Sequence, residues 1–149
     1  MSYKVQAPAA FLAYNSSAST ANVTGDGTVY TVVLDTELFD QGNNFSANTF
    51  TAPTTGLYAF QVYIKAEGLI AGAFVPSCAV VTTAHTYSFF SFTGTGSATP
   101  RGIGGSVLAN MTAGDTATFT FTVSGVTKIV GFNGGATPIL TFMSGYLVR

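Results

Sequence analysis

An all-β domain, specifically a ten-stranded jelly-roll β-sandwich, is the fold class this sequence predicts, and three observations predict it. Apolar and polar residues alternate with period two in several short runs. Turn-forming clusters of Gly, Asp, Asn, Pro, Ser and Thr separate those runs at intervals of about 8–14 residues. No window carries apolar residues at helical spacing between caps, and seventeen glycines interrupt the candidates.

The strands read in order as residues 11–14, 29–34, 45–51, 57–65, 78–83, 87–92, 106–111, 116–123, 128–132 and 140–148. The clearest alternation lies in 116–123, where Phe119, Phe121 and Val123 share one face while Thr118, Thr120 and Thr122 share the other. In 57–65, Tyr58, Phe60, Val62 and Ile64 share a face, and Ala59, Gln61, Tyr63 and Lys65 share its opposite. The last strand sets Phe142 and Tyr146 against Met143 and Leu147. Turns fall at 24–27, 40–44, 53–56, 94–97, 113–115 and 133–135. Without a repeat or composition break, residues 9–149 read as one domain behind a short arm, residues 1–8.

Composition narrows the function. The chain has 149 residues and a mass of 15.3 kDa, enough for a core without disulfides or metals. Only 7% of it is charged, with a formal net charge of −1. Globular domains are usually near a quarter charged. Mean hydropathy is +0.41, yet the longest apolar stretch, 68–81, is broken by Pro76 and too short to span a bilayer. No membrane insertion is expected. No basic region followed by an apolar one opens the chain, so no secretory leader is expected either. Lys4, Lys65, Arg101, Lys128 and Arg149 are scattered singly, which argues against nucleic-acid binding. A single cysteine and a single histidine exclude a disulfide framework and a two-histidine metal motif.

So few charges leave a solubility problem, because a monomer of this mass exposes about 7,000 Å². Hydroxyl-bearing Ser and Thr, roughly a quarter of the chain, cover part of that surface. Strands that are apolar on both faces belong in a sheet covered twice, and another copy of the chain is the simplest second cover. An obligate oligomer is expected.

The stretch from Leu34 through Asp40, Gln41, Gly42, Asn43, Asn44 to Phe45, then Phe50, Thr51, Ala52 and Pro53, then Gly56, Leu57, Tyr58, Ala59 and Phe60, is similar to a known pattern. It resembles the globular-head domain of complement component one, subcomponent q, within the tumour-necrosis-factor-like superfamily. That pattern has a Phe-Asn-Gln-Gly-like turn, a Phe-Thr-Ala-Pro step and a Gly-x-Tyr-x-Phe strand opening. The turn of Gly114 and Asp115, and the closing strand Phe142, Met143, Ser144, Gly145, Tyr146 and Leu147, also look like the family's. The resemblance spans essentially the whole chain, matches least in 66–105, and has Asp40 where Asn is usual.

It implies a ten-stranded jelly roll that assembles as a tight homotrimer. The sheet holding the first and last strands would pack around the threefold axis. Under this implication Phe39, Gly42, Phe45, Phe50, Pro53, Gly56, Tyr58, Phe60, Gly114, Asp115 and Gly145 are fold-motif or core positions. Tyr14, Ala59, Gln61, Tyr63, Phe142 and Tyr146 are the expected interface.

Catalytic groupings are scarce. Asp35, Glu37 and Asp40 are read either as a calcium cluster or as solubilising charges. Asp26 and Asp115 read as turn aspartates, His85 as a loop residue, and Cys78 as a small buried hydrophobe. The glycine run 102–105 precedes no helix, which weakens a phosphate-cradling role. Asn15, Asn22, Asn44 and Asn110 head glycosylation sequons that arise easily by chance in a chain so rich in Ser and Thr. No enzymatic activity, cofactor or metal is expected.

The expected function is that of a structural or interaction protein, a homotrimer on the surface of a virus particle. Bacteriophage capsid decoration, or a fibre head, is the expected placement, with other virion proteins as partners. The alternative is an extracellular or cell-surface, lectin-like module binding a host glycan or receptor through 87–92 and 94–100.

Overall fold

The computed structural model describes residues 7–90 and 101–149. Thirteen strand segments run through them, three of which are only two or three residues long: β1 (Ala10–Tyr14), β2 (Thr20–Thr24), β3 (Tyr30–Thr31), β4 (Thr36–Gln41), β5 (Phe45–Ser46), β6 (Thr49–Thr51), β7 (Gly56–Glu67), β8 (Phe74–Thr82), β9 (Thr86–Phe90), β10 (Arg101–Met111), β11 (Thr116–Ser124), β12 (Val130–Asn133) and β13 (Phe142–Leu147). All pair antiparallel in two sheets. One sheet runs β2-β12-β7-β13-β1-β4 with β10 also on β7, and the other runs β5-β6-β11-β8-β9 with β3 on β11. The first and last strands are neighbours, with Phe11 opposite Gly145. This is a jelly-roll sandwich, as the sequence predicts.

Alternation builds the core between the sheets. Tyr58, Phe60 and Ile64 of β7 face Phe119, Phe121 and Val123 of β11, and all six are fully buried. Phe11 stacks on Phe45 and Phe50 with ring centroids 4.9 and 5.0 Å apart. Phe50 meets Tyr58 and Phe60 edge-on at 5.5 and 5.7 Å, a favoured aromatic geometry. The buried Tyr58 hydroxyl donates to the Thr54 carbonyl at 2.7 Å, so the 53–56 turn satisfies it. Gly145 is buried because Phe60 and Phe11 pass within 2.8 Å of where a Cβ would sit.

Several expectations need correction. Phe39 is not a core residue: it is 44% exposed, on the outer side of edge strand β4. Gly42 and Gly114 lie in the exposed turns that the sequence predicts, with φ of +90° and +94°, and Pro53 is exposed in the 53–56 turn. Residues 45–51 are not one strand. Ala47 and Asn48 have φ of 50° and 63°, and they fold the run into a hairpin pairing Phe45 with Phe50. Positive φ at both central residues is the geometry a tight hairpin turn requires. The strand expected from residue 78 begins at Phe74, because Pro76 is accommodated where Val75 takes φ of 49°. Of the strand expected at 29–34, only Tyr30 and Thr31 pair in the ladder. The sequence predicts no strand at the edge strands β2 and β4 and touches them only through the turns at 24–27 and 40–44. Residues 91 and 92, the loop 94–100 and arm residues 1–6 lie outside the described residues.

Candidate functional site

Residues paired across antiparallel strands project to the same side of the sheet, so the register defines the outer face of the larger sheet. Its middle row runs Phe39, Leu12, Ser144, Gln61, Ser106 from β4 to β10. One flanking row runs Gln41, Ala10, Tyr146, Ala59, Leu108, and the other runs Thr36, Tyr14, Phe142, Tyr63, Gly104. None of these fifteen positions carries a charged residue. Large apolar residues stand bare on this face: Leu108 is 58% exposed, Tyr146 54%, Phe39 44% and Tyr63 36%.

All six residues that the sequence assigns to an interface therefore share this face. Tyr14 is the least available of them, at 9% exposure. Phe39 and Leu108, which sequence reasoning did not assign to it, belong there too. Their position follows only from the pairings with Leu12 and Ala59.

The glycines of 102–105 have a packing role here. A Cβ on Gly102 would meet the Tyr63 hydroxyl at 2.1 Å, so the Tyr63 ring lies across Gly102. It is stacked against Phe142, with centroids 6.0 Å apart. On the core side, Gly105 makes room for Phe89, whose ring comes within 2.1 Å of a Cβ built there. With no side chain on Gly104, the face is hollowed along β10. One open hollow of about 440 Å³ lies between Tyr63, Phe142, Gln61 and Gly104. A second, of about 270 Å³, lies between Tyr146, Ala59, Gln61 and Leu108.

The candidate chemical groups are dispersed by the fold. Asp40 accepts the backbone N–H groups of Asn44 and Phe45 at 3.0 Å each, which closes the 40–44 turn. Asp35 accepts the N–H and hydroxyl of Ser16 at 2.9 Å each. Burial pushes the Asp35 carboxyl up, but those bonds and the one from Thr36 outweigh it and hold the group below its usual range. Glu37 is exposed on β4. Among the described residues no three His, Cys, Asp or Glu side chains converge on a metal position. Asp115 accepts the Thr112 N–H at 2.8 Å within its turn, and Asp26 accepts the Thr28 N–H and hydroxyl.

His85 occupies the exposed turn between β8 and β9, its ring edge-on to Tyr87 at 6.0 Å. Cys78 is buried, and desolvation pushes its thiol up to about 12. It is inert as a nucleophile at neutral pH. The Asn15 sequon is closed to modification in the folded chain, since Asn15 is buried and its amide donates to the Val33 carbonyl. No helix among the described residues is long and apolar enough to cross a membrane.

No protein-family profile matches the chain, and no curated protein matches it by sequence. Solved structures do match it in shape. The globular domain of zebrafish complement 1qA protein superposes with a TM-score of 0.65 at 15% identity, covering 96% of this chain and 98% of that one. Murine APRIL at pH 8.0 gives 0.63 at 9% identity, covering 95% and 100%. Eiger TNF from S. frugiperda gives 0.59 at 11% identity, covering 96% and 94%. The chain thus has the complement-one-q and tumour-necrosis-factor-like fold that its motifs resemble, on a sequence far diverged from these neighbours.

Proposed function

We propose that this chain is a non-enzymatic interaction module that works as a homotrimer. Three copies bury the outer face of the larger sheet against one another. One observation carries this reading: fifteen contiguous positions without a charge, four of them large apolar residues at least a third exposed. Soluble monomers seldom leave such a patch bare. The hollows along β10 and the protruding Tyr146 and Leu108 give the face both relief and recess, which suits self-packing. The shared fold and the trimer implied by the motif resemblance point the same way.

Sedimentation equilibrium tests the assembly. A mass of about 46 kDa, three times 15.3 kDa, is expected at micromolar concentration. Because the buried rows hold no ion, that mass should persist from about 0.05 to 1 M salt, where charge-held interfaces weaken. A soluble 15.3 kDa species at the same concentration contradicts the reading.

Within that reading, the module belongs on the surface of a virus particle, as bacteriophage capsid decoration or a fibre head, with other virion proteins as partners. A threefold module fits a threefold or quasi-threefold position. A surface rich in Thr and Ser, with its one thiol buried, suits a particle that meets varied conditions. Electron microscopy of intact particles from the source virus tests the placement: threefold density for this module supports it, and its absence from every surface position ends it.

The second reading, a cell-surface or extracellular trimer that binds a host glycan or receptor, rests on β9. Phe90 is 68% exposed on this edge strand, beside exposed Ser88 and opposite Ser77 on β8. An aromatic face among neutral hydroxyls suits a neutral sugar. Reproducible hits on a glycan array that disappear in Phe90→Ala favour it, and a blank array counts against it.

A further inference from the structure

We infer that Gln61 sets the register of the trimer interface, an inference that rests on the homotrimer reading above. Gln61 occupies the middle of the face, with Ser144 opposite it on β13 and Ser106 opposite it on β10. In the next row on one side Ala59 stands between Tyr146 and Leu108, and on the other Tyr63 stands between Phe142 and Gly104. Ser144, Gln61 and Ser106 therefore form a short polar stripe flanked on β13, β7 and β10 by apolar, aromatic or glycine positions, with polar Gln41 and Thr36 set apart on edge strand β4, and Gln61 lines both hollows.

The two kinds of row constrain assembly differently. Apolar burial is non-directional and grows with area, so the flanking rows accept neighbours that are slid or rotated. A primary amide is directional: it has two donors and an acceptor with two lone pairs. No hydrogen bond within the described residues satisfies the Gln61 amide, which faces solvent in the single chain. Once covered, it must find partners or carry the desolvation penalty of an unpaired polar group.

The tyrosine hydroxyls of the flanking rows sit at the tips of long side chains and can reach the rim. The amide in the central row has no such escape. An arrangement that brings Gln61 against a hydroxyl or amide of the partner subunit's face satisfies all three amides together, and one that sets it against apolar positions satisfies none. Arrangements with the same apolar area and orphaned amides are disfavoured threefold over. A lone polar residue in an apolar coiled-coil seam fixes register and copy number by the same logic.

The test uses native mass spectrometry of the full chain with Gln61→Leu and the nearly isosteric Gln61→Met, each checked for wild-type far-ultraviolet dichroism. Wild type is expected as one trimeric mass. Both variants are expected to populate at least one other oligomeric mass, on the order of a tenth of the chains or more, as the penalty on alternatives disappears. Variants that remain exclusively trimeric overturn the inference, whatever their thermal stability. A monomeric wild type instead overturns the homotrimer reading, so the two failures are distinguishable. Should Gln61→Leu fail to fold, Gln61→Met decides the matter.

Discussion

Tyr146→Asp is expected to abolish the 46 kDa assembly, leaving either folded 15.3 kDa chains or insoluble protein. The side chain is 54% exposed in the single chain, so a carboxylate there stays hydrated before assembly and costs the fold little. In the trimer, three carboxylates would be carried into one low-dielectric interface with no cation in the three rows to pair with. Each unpaired buried charge costs several kcal/mol, and mutual repulsion adds to it.

Tyr63→Asp should also disrupt assembly, but Tyr146 is the cleaner probe. Tyr63 covers Gly102 and stacks on Phe142, so its loss also disturbs the single chain. Val29→Asp is the matched control: Val29 is 65% exposed but lies beside β3 of the other sheet, and its variant should stay trimeric. Sedimentation equilibrium with far-ultraviolet dichroism reads all three. A soluble Tyr146→Asp trimer of wild-type stability places this side chain outside the interface and removes the main support for the proposed assembly.

What the sequence made legible follows the strength of local periodicity. In 116–123 and 57–65 each apolar residue is two from the next, and the structure places Phe119, Phe121, Tyr58 and Phe60 where the alternation assigns them. The same alternation puts Ala59, Gln61 and Tyr63 on the opposite side, so half of the candidate face was already visible. The other half depends on which strands are neighbours. Phe39 and Leu108 join the face because β4 lies beside β1 and β10 beside β7, and no local pattern contains that information.

Edge strands were hardest to read. Such strands have a partner on one side only and need little apolar alternation, so Thr36 to Gln41, with two acids and a glutamine, resembles a loop. The hairpin at Ala47 and Asn48 lacks the glycine that usually announces such a turn. Asn48 tolerates positive φ, and its side-chain oxygen accepts the Leu34 N–H at 2.7 Å, tying the hairpin to the neighbouring segment. Proline misled in the opposite direction. Pro76 reads as a strand boundary, yet β8 runs through it because the bulge at Val75 removes the need for a ladder donor. The glycine run 102–105 could not be interpreted from spacing alone. Its reason lies in Tyr63 and Phe89, which occupy the room that side chains would fill.

Phe50→Ala is expected to be among the most damaging single changes to the fold itself, lowering Tm by roughly 10–15 °C at fixed chain concentration. The ring is fully buried and bridges the sheets, stacked on Phe11 and edge-on to Tyr58 and Phe60. Truncating such a phenylalanine costs about 3–5 kcal/mol, a large share of a typical total stability of about 5–15 kcal/mol. Gly145→Ala probes the same cluster from the other side. Its new methyl would lie 2.7 Å from Phe60 and 2.8 Å from Phe11, neither of which can retreat while Phe50 holds both. Overpacking of this kind costs about 1–3 kcal/mol. The two changes should not add. With Phe50 gone, Phe11 and Phe60 gain space to move off the methyl, so the double variant should be less destabilised than the sum of the singles by about 0.5 kcal/mol or more. Denaturant midpoints for the wild type, both singles and the double variant measure that coupling. Strict additivity would mean that the Gly145 methyl is resisted by the backbone of β1 and β7 rather than by the two rings.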